Sequence, residues 1–240
     1  MEVHTHTHTS RKKWTHYLWE FLMLFLAVFC GFLAENQREH MVEHQREKEY
    51  MKSFTEDVKQ DTAQVKKILL KIDSILVFRD SLLIELGKPE LFSNSYKAYY
   101  FQTKSYHFPD FIYTDRTIQQ LKNSGGMRLI RNKAVADGIM DYDSKVRTLF
   151  VHQQQMNVIA LNFVASTNKL FQKRLLSPVA EGLQNSPVPL LTKSKTDVEE
   201  YYNNMADQKT GFLMLKEVET DLLQKGKKLI ELIQKEYHLK

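Results

Sequence analysis

The sequence predicts an all-α protein, with a single N-terminal transmembrane helix continuing into a long stalk helix and an antiparallel helical bundle. Three observations predict it. From Tyr17 to Ala34 the only charged residue is Glu20. Residues 35–86 contain neither Pro nor Gly and are mostly good helix formers. Further along, apolar side chains recur at alternating spacings of three and four, with no period-two pattern to mark a strand.

The N-terminal helix is taken first. A bilayer core of ~30 Å needs roughly 20 apolar residues at ~1.5 Å each, so Trp14–Ala34 is long enough to cross. Trp14, Tyr17 and Trp19 cluster on its N-terminal side beside Arg11, Lys12 and Lys13, where amphipathic rings favour the headgroup level. Signal-peptide cleavage after Ala34 would put Phe32 where a small residue is required, and Phe29 before Cys30 is too bulky for a lipid-attachment motif. An uncleaved anchor is therefore expected. The Lys and Arg counts on the two flanks are equal at short range. The basic cluster abutting the span and the brevity of the tail favour a cytoplasmic N-terminus.

The expected organisation is a cytoplasmic tail (1–13), a transmembrane helix (14–34), a helical stalk (35–50) and an extracytoplasmic helical bundle (51–240). The expected location is the inner membrane, with the C-terminal domain in the periplasm. The tail carries His4, His6 and His8 in alternation; it lacks the apolar residues to form a core. The stalk is polar nearly all round.

Beyond it, Met51, Val58, Val65 and Ile72 repeat in one heptad register, and Phe54, Ile68 and Ile75 in the other, with Asp61 as a break. Gly87 and Pro89 stop that helix. Residues 90–113 read as irregular and aromatic, with rings such as Tyr99, Tyr106 and Phe111 wedged between bundle helices, or else forming a stacking platform for a ring-bearing ligand. A short helix follows over Asp115–Asn123, capped by Thr114 or Asp115 and ended by Gly125-Gly126. Asn132 caps the next, predicted to run to about Leu175 on a seam that includes Ile139, Tyr142, Val146, Leu149, Met156 and Phe163. Residues 177–196, with Pro178, Pro187, Pro189 and Gly182, read as a loop. A final helix starts near Asp197, with Leu215, Val218, Leu222, Leu229 and Ile233 on one side.

Composition narrows function little. The chain has 240 residues, a net charge of +5 and one cysteine, Cys30, inside the span. The basic residues are spread over every helix instead of forming a stripe, which argues against nucleic acid. There is no Gly-rich phosphate loop, no GxSxG and no Cys/His pair outside the span. His40 and His44 share a helical face, but no third ligand is fixed by sequence. Asp137, Asp141 and Asp143 read as solvated acids on a polar face. Neither a cofactor, a metal nor a small-molecule substrate is indicated.

Glu20 is the most informative residue, because an ionisable group inside a span is costly. His16 stands one turn back and Lys13 two turns back, so Glu20 can pair locally near the interface. It can equally contact a partner helix, since polar groups in lipid favour association, or couple a proton or ion across the membrane. The candidate membrane and assembly residues are Glu20, His16, Trp14, Tyr17 and Trp19. The expected partners are the lipid bilayer together with another membrane or envelope protein or a second copy of the chain. The preferred expectation is a non-enzymatic interaction or scaffold protein, and the alternative is an energy- or signal-coupling subunit using Glu20.

The block Thr117–Asp143 (TIQQLKNSGGMRLIRNKAVADGIMDYD), the early glutamate in the span and the AENQRE that follows it resemble a Bacteroidota family of small single-pass membrane proteins known as a domain of unknown function. The resemblance covers residues 11–238 and rests chiefly on Leu121-Lys122, Ser124-Gly125 and Leu129-Ile130. Many relatives carry a tryptophan just past the span, where this chain has Gln37-Arg38. The resemblance implies an inner-membrane anchor and a helical extracytoplasmic domain, and it implies no activity.

Overall fold

A computed structural model describes residues 14–106, 109–184 and 187–239. Helix and turn account for the secondary structure, and no strand occurs among the described residues. The described residues form six α-helices, α1 (Trp14–Leu86), α2 (Tyr96–Ser105), α3 (Arg116–Asn123), α4 (Lys133–Leu170), α5 (Lys173–Ala180) and α6 (Lys195–Tyr237). Short 3-10 turns occupy Pro89–Phe92 and Gly126–Leu129. The fold is all-α. Two compact units divide the chain, Met1–Glu49 and Tyr50–Lys240. The tail assigned to residues 1–13, including His4, His6 and His8, lies outside the described residues, as does Phe108.

In the second unit the frame is α1, α4 and α6. The heptad residues Met51, Phe54, Val58, Val65, Ile68, Ile72 and Ile75 are all buried. So are Ile139, Tyr142, Val146, Leu149, Met156 and Phe163 of α4, and Leu215, Leu222, Leu229 and Ile233 of α6. Cross-helix pairs give the directions. Lys145 meets Asp221 at 2.9 Å and Lys169 meets Glu200 at 2.8 Å, so α4 and α6 are antiparallel. Lys209 meets Asp80 and Lys216 meets Asp73, each at 2.5 Å, so α6 is antiparallel to α1 as well. α1 and α4 are consequently parallel, and the chain must return between them.

Residues 109–115 run back along α1 as an extended strap. The Gln64 side chain pairs with the Ile112 backbone in both directions: its amide donates to the carbonyl at 2.9 Å and accepts from the N–H at 2.7 Å. Asp61, the break in the heptad seam, accepts the Thr114 N–H at 2.9 Å and the Tyr142 hydroxyl at 3.1 Å. Asp57 accepts the Thr117 N–H at 3.1 Å and Arg116 Nε at 2.5 Å. Asp115 occupies the N-cap position of α3 but makes no cap bond with its side chain. The donor near the helix start is satisfied instead by Asp57, sixty residues away.

Three local expectations are corrected, and the start of the final helix near Asp197 holds to within two residues. The aromatic segment is not irregular throughout, because α2 forms within it; Ala98, Tyr99, Gln102 and Ser105 turn one face inward. α4 stops at Leu170 instead of continuing to about Leu175. Phe171 is extended there, and its buried ring packs edge-on against Tyr99 at 4.9 Å and against Tyr201 at 5.2 Å. Burying that ring sideways outweighs one more helical turn. The proline-rich stretch is helical as far as Ala180, with Pro178 inside α5. The final helix starts at Lys195, where the Ser194 side chain accepts from the Asp197 N–H. Asn132 caps α4 as the sequence indicates, its side chain accepting the Val135 N–H at 3.2 Å.

Candidate functional site

The candidate site is the N-terminal part of α1. Its most apolar 18-residue window has a mean hydropathy of 2.0, and none of that window is buried. It is the one helix among the described residues that is long and apolar enough to cross a membrane. Trp14, Tyr17 and Trp19 are exposed on its first turns. Phe21, Phe25 and Phe29 stack at one-turn intervals, with ring centroids 6.4 and 5.9 Å apart.

His16 Nε2 lies 3.2 Å from Glu20 Oε1, one turn away, with the two side chains 46% and 53% exposed. The sequence reading placed these two together, and the helix does so. Lys13 lies outside the described residues. Cys30 is a free, exposed thiol.

Beyond residue 34, α1 is laced by local polar pairs. Arg38 donates to both carboxylate oxygens of Glu35, at 2.9 and 2.5 Å, and Gln45 donates to Glu49 at 2.9 Å. His40 and His44 take separate glutamates, Glu43 at 4.0 Å and Glu47 at 3.4 Å. No group of three or more His, Cys, Asp or Glu placed to hold a metal occurs among the described residues.

The bundle unit has buried polar groups of its own. Asp143, read as a solvated acid, is buried; Lys122 reaches it at 2.6 Å, Arg147 pairs with it, and the Tyr113 hydroxyl donates at 3.5 Å. Asp137 and Asp141 are exposed as expected, Asp141 pairing with Lys225. Burial and the neighbouring carboxylates push the Tyr113 and Tyr142 hydroxyls up, and burial raises Asp61 against the opposing effect of its hydrogen bonds.

Sequence reasoning passed over Arg79, Gln208 and Glu219. Arg79 is fully buried, its guanidinium 4.5 Å from the Phe212 ring centroid and 5.6 Å from that of Phe163, with Nη2 donating to the Ser105 carbonyl at 3.2 Å. Burial lowers it to about 10, so it stays charged at neutral pH. Glu219 is fully buried, and neither carboxylate oxygen finds a hydrogen-bond partner. Burial raises it to about 8. The signal was present: Arg79 continues the Val65–Ile72 heptad, and Glu219 lies between Leu215 and Leu222 on the core stripe.

A half-open cavity of ≈ 220 Å³ is bordered by residues of α2, α4 and α5 with Tyr106. Among the described lining residues, Lys173 is the one that carries a charge.

No protein family, curated protein or solved structure matches the chain.

Proposed function

We propose that this chain is a non-enzymatic, membrane-anchored helical interaction protein of the cell envelope. In this reading Trp14–Ala34 spans the inner membrane, the N-terminus is cytoplasmic, and residues 51–240 form a periplasmic bundle. The chain binds another envelope protein or a second copy of itself through span and stalk. The observation that carries the reading is an 18-residue window of mean hydropathy 2.0 whose side chains are left uncovered. In water such a surface far exceeds the isolated apolar residues of an ordinary protein exterior; in a bilayer it costs nothing. The resemblance of Thr117–Asp143 to a Bacteroidota family of single-pass membrane proteins supports the same reading, because that resemblance implies a single span with a helical domain.

The His16–Glu20 contact favours a second reading, an energy- or signal-coupling subunit, because it puts two titratable groups one turn apart in the first part of the span. Glu20→Gln separates the two readings when the intact protein is purified in mild detergent and its associated proteins are identified. Loss of the associated protein or of the dimer assigns Glu20 to assembly. Retained assembly with loss of the complex's activity assigns it to coupling.

A further inference from the structure

We infer that the cavity between α2, α4 and α5 is a binding site for a small organic carboxylate with a ring-sized apolar body. Its size and lining carry the inference. The cavity measures ≈ 220 Å³, and an apolar cavity of ~150 Å³ is enough to take up benzene. Val164, Leu176 and Ala180, with the ring of Tyr106, supply the apolar walls. Tyr106 belongs to the aromatic segment for which the sequence offers a stacking platform as the alternative to rings wedged between helices. Its ring lies 6.5 Å from that of Phe163, in a fixed tilted pair.

The polar lining is one-sided. Thr103 and Thr167 turn their hydroxyls back to helix carbonyls, Tyr100 and Phe163, at 2.7 Å each. Gln102, on the buried side, is held by the Tyr201 hydroxyl, which donates to Oε1. Among the described lining residues, that leaves Lys173, Asn168, Ser177 and the Tyr106 hydroxyl as polar groups facing a ligand. Lys173 and Ser177 are one turn apart on α5 and exposed.

Among the described lining residues one is a cation and none an acid, so charge complementarity selects an anion. A planar carboxylate can accept from the Lys173 ammonium and the Asn168 amide while its body lies against Val164 and Leu176.

Equilibrium dialysis of radiolabelled benzoate against the intact chain in mild non-ionic detergent tests this, with detergent alone subtracted. Acetate, which lacks the body, and benzyl alcohol, which lacks the charge, are the comparison probes. Saturable uptake of one benzoate per chain is expected, with both comparison probes about tenfold weaker, the equivalent of ~1.4 kcal/mol. Lys173→Met, at an exposed position, is expected to weaken benzoate about tenfold and leave benzyl alcohol unchanged. Ala180→Phe, which fills the cavity, is expected to abolish uptake at unchanged helical content. Absence of saturable benzoate uptake overturns the proposal, and so does uptake that Lys173→Met leaves unaltered. If Ala180→Phe fails to fold, Lys173→Met decides alone.

Discussion

Residues 17–34 of α1 carry apolar side chains all round the helix, whereas residues 51–86 of the same helix keep them largely to one stripe. In the second stretch the stripe is buried against other helices, as with Val65, Ile72 and Leu82 at zero exposure. In the first, Phe21, Leu24, Val28 and Phe32 stand exposed. Both stretches are equally helical, so helix propensity does not distinguish them. The arrangement of apolar residues around the axis does. A stripe is matched by a partner within the chain; an all-round surface needs an apolar medium. Polar interactions follow the same division. In residues 14–49 the hydrogen bonds and ion pairs named above are one helical turn long, from His16–Glu20 to Gln45–Glu49. In the bundle unit they reach across the sequence, as with Asp57 to Thr117 and Tyr142 to Asp61.

The largest expected effect comes from giving the first stretch a polar face. Leu24→Lys together with Val28→Lys places two charges mid-span, at ~2.5–3.5 kcal/mol each on insertion scales. Cell fractionation is expected to move the protein out of the membrane pellet, while the same pair of substitutions at exposed Leu70 and Val77 leaves it there.

The next effect tests whether the bundle tolerates the buried, unpartnered carboxyl of Glu219. Glu219 has an ordinary value of 4.5 and is raised to about 8, so between those values the folded state holds a proton that the unfolded chain has released. Its stabilising effect is therefore complete below pH 4.5 and is lost as pH rises towards 8. Denaturant titrations of the wild type should show stability falling by up to ~1.4 kcal/mol per pH unit across that window. Glu219→Gln should flatten this slope, and an unchanged slope would show that Glu219 does not titrate in the core.

Asp57→Ala removes the tertiary cap of α3 and the partner of Arg116. A loss of about 2 kcal/mol is expected in the bundle's unfolding free energy, with increased amide exchange at Thr117.

Two glycines give the smallest and sharpest contrast. A Cβ at Gly226 would meet Thr62 Cγ2 at 2.6 Å and Tyr142 Cε2 at 3.2 Å, between a β-branched side chain and a buried ring. A Cβ at Gly211 would meet Met156 Sδ at 2.3 Å, but that is the far end of a flexible side chain. Overpacking costs ~1–3 kcal/mol and exceeds the ~1 kcal/mol that alanine gains over glycine in a helix, so Gly226→Ala should destabilise. Gly211→Ala should be close to neutral. Equal melting temperatures for the two variants would contradict the packing described here.

The long helices were legible in the sequence because each carries many repeats of one spacing. Met51 through Ile75 and Ile139 through Phe163 are buried in the pattern their spacing implies. The pairing of His16 with Glu20 was legible too, since four residues make one helical turn. Interactions between distant parts of the chain were not. That Asp57 would cap α3, that Asp61 would hold the strap, and that Asp143 would be buried beneath Lys122 all depend on contacts that no local spacing encodes. Phe171 ended α4 for a similar reason, because Tyr99 and Tyr201 come from other helices. Arg79 and Glu219 were readable as charged residues on apolar seams, but that sign indicates an anomaly without naming its partners.

The most direct test of the central claim is an alkaline carbonate wash of membranes carrying the intact wild-type chain. Retention of the full-length protein in the washed bilayer, and its release only by detergent, is the result this account predicts. Recovery of the intact chain in the aqueous supernatant as a monodisperse protein would contradict it.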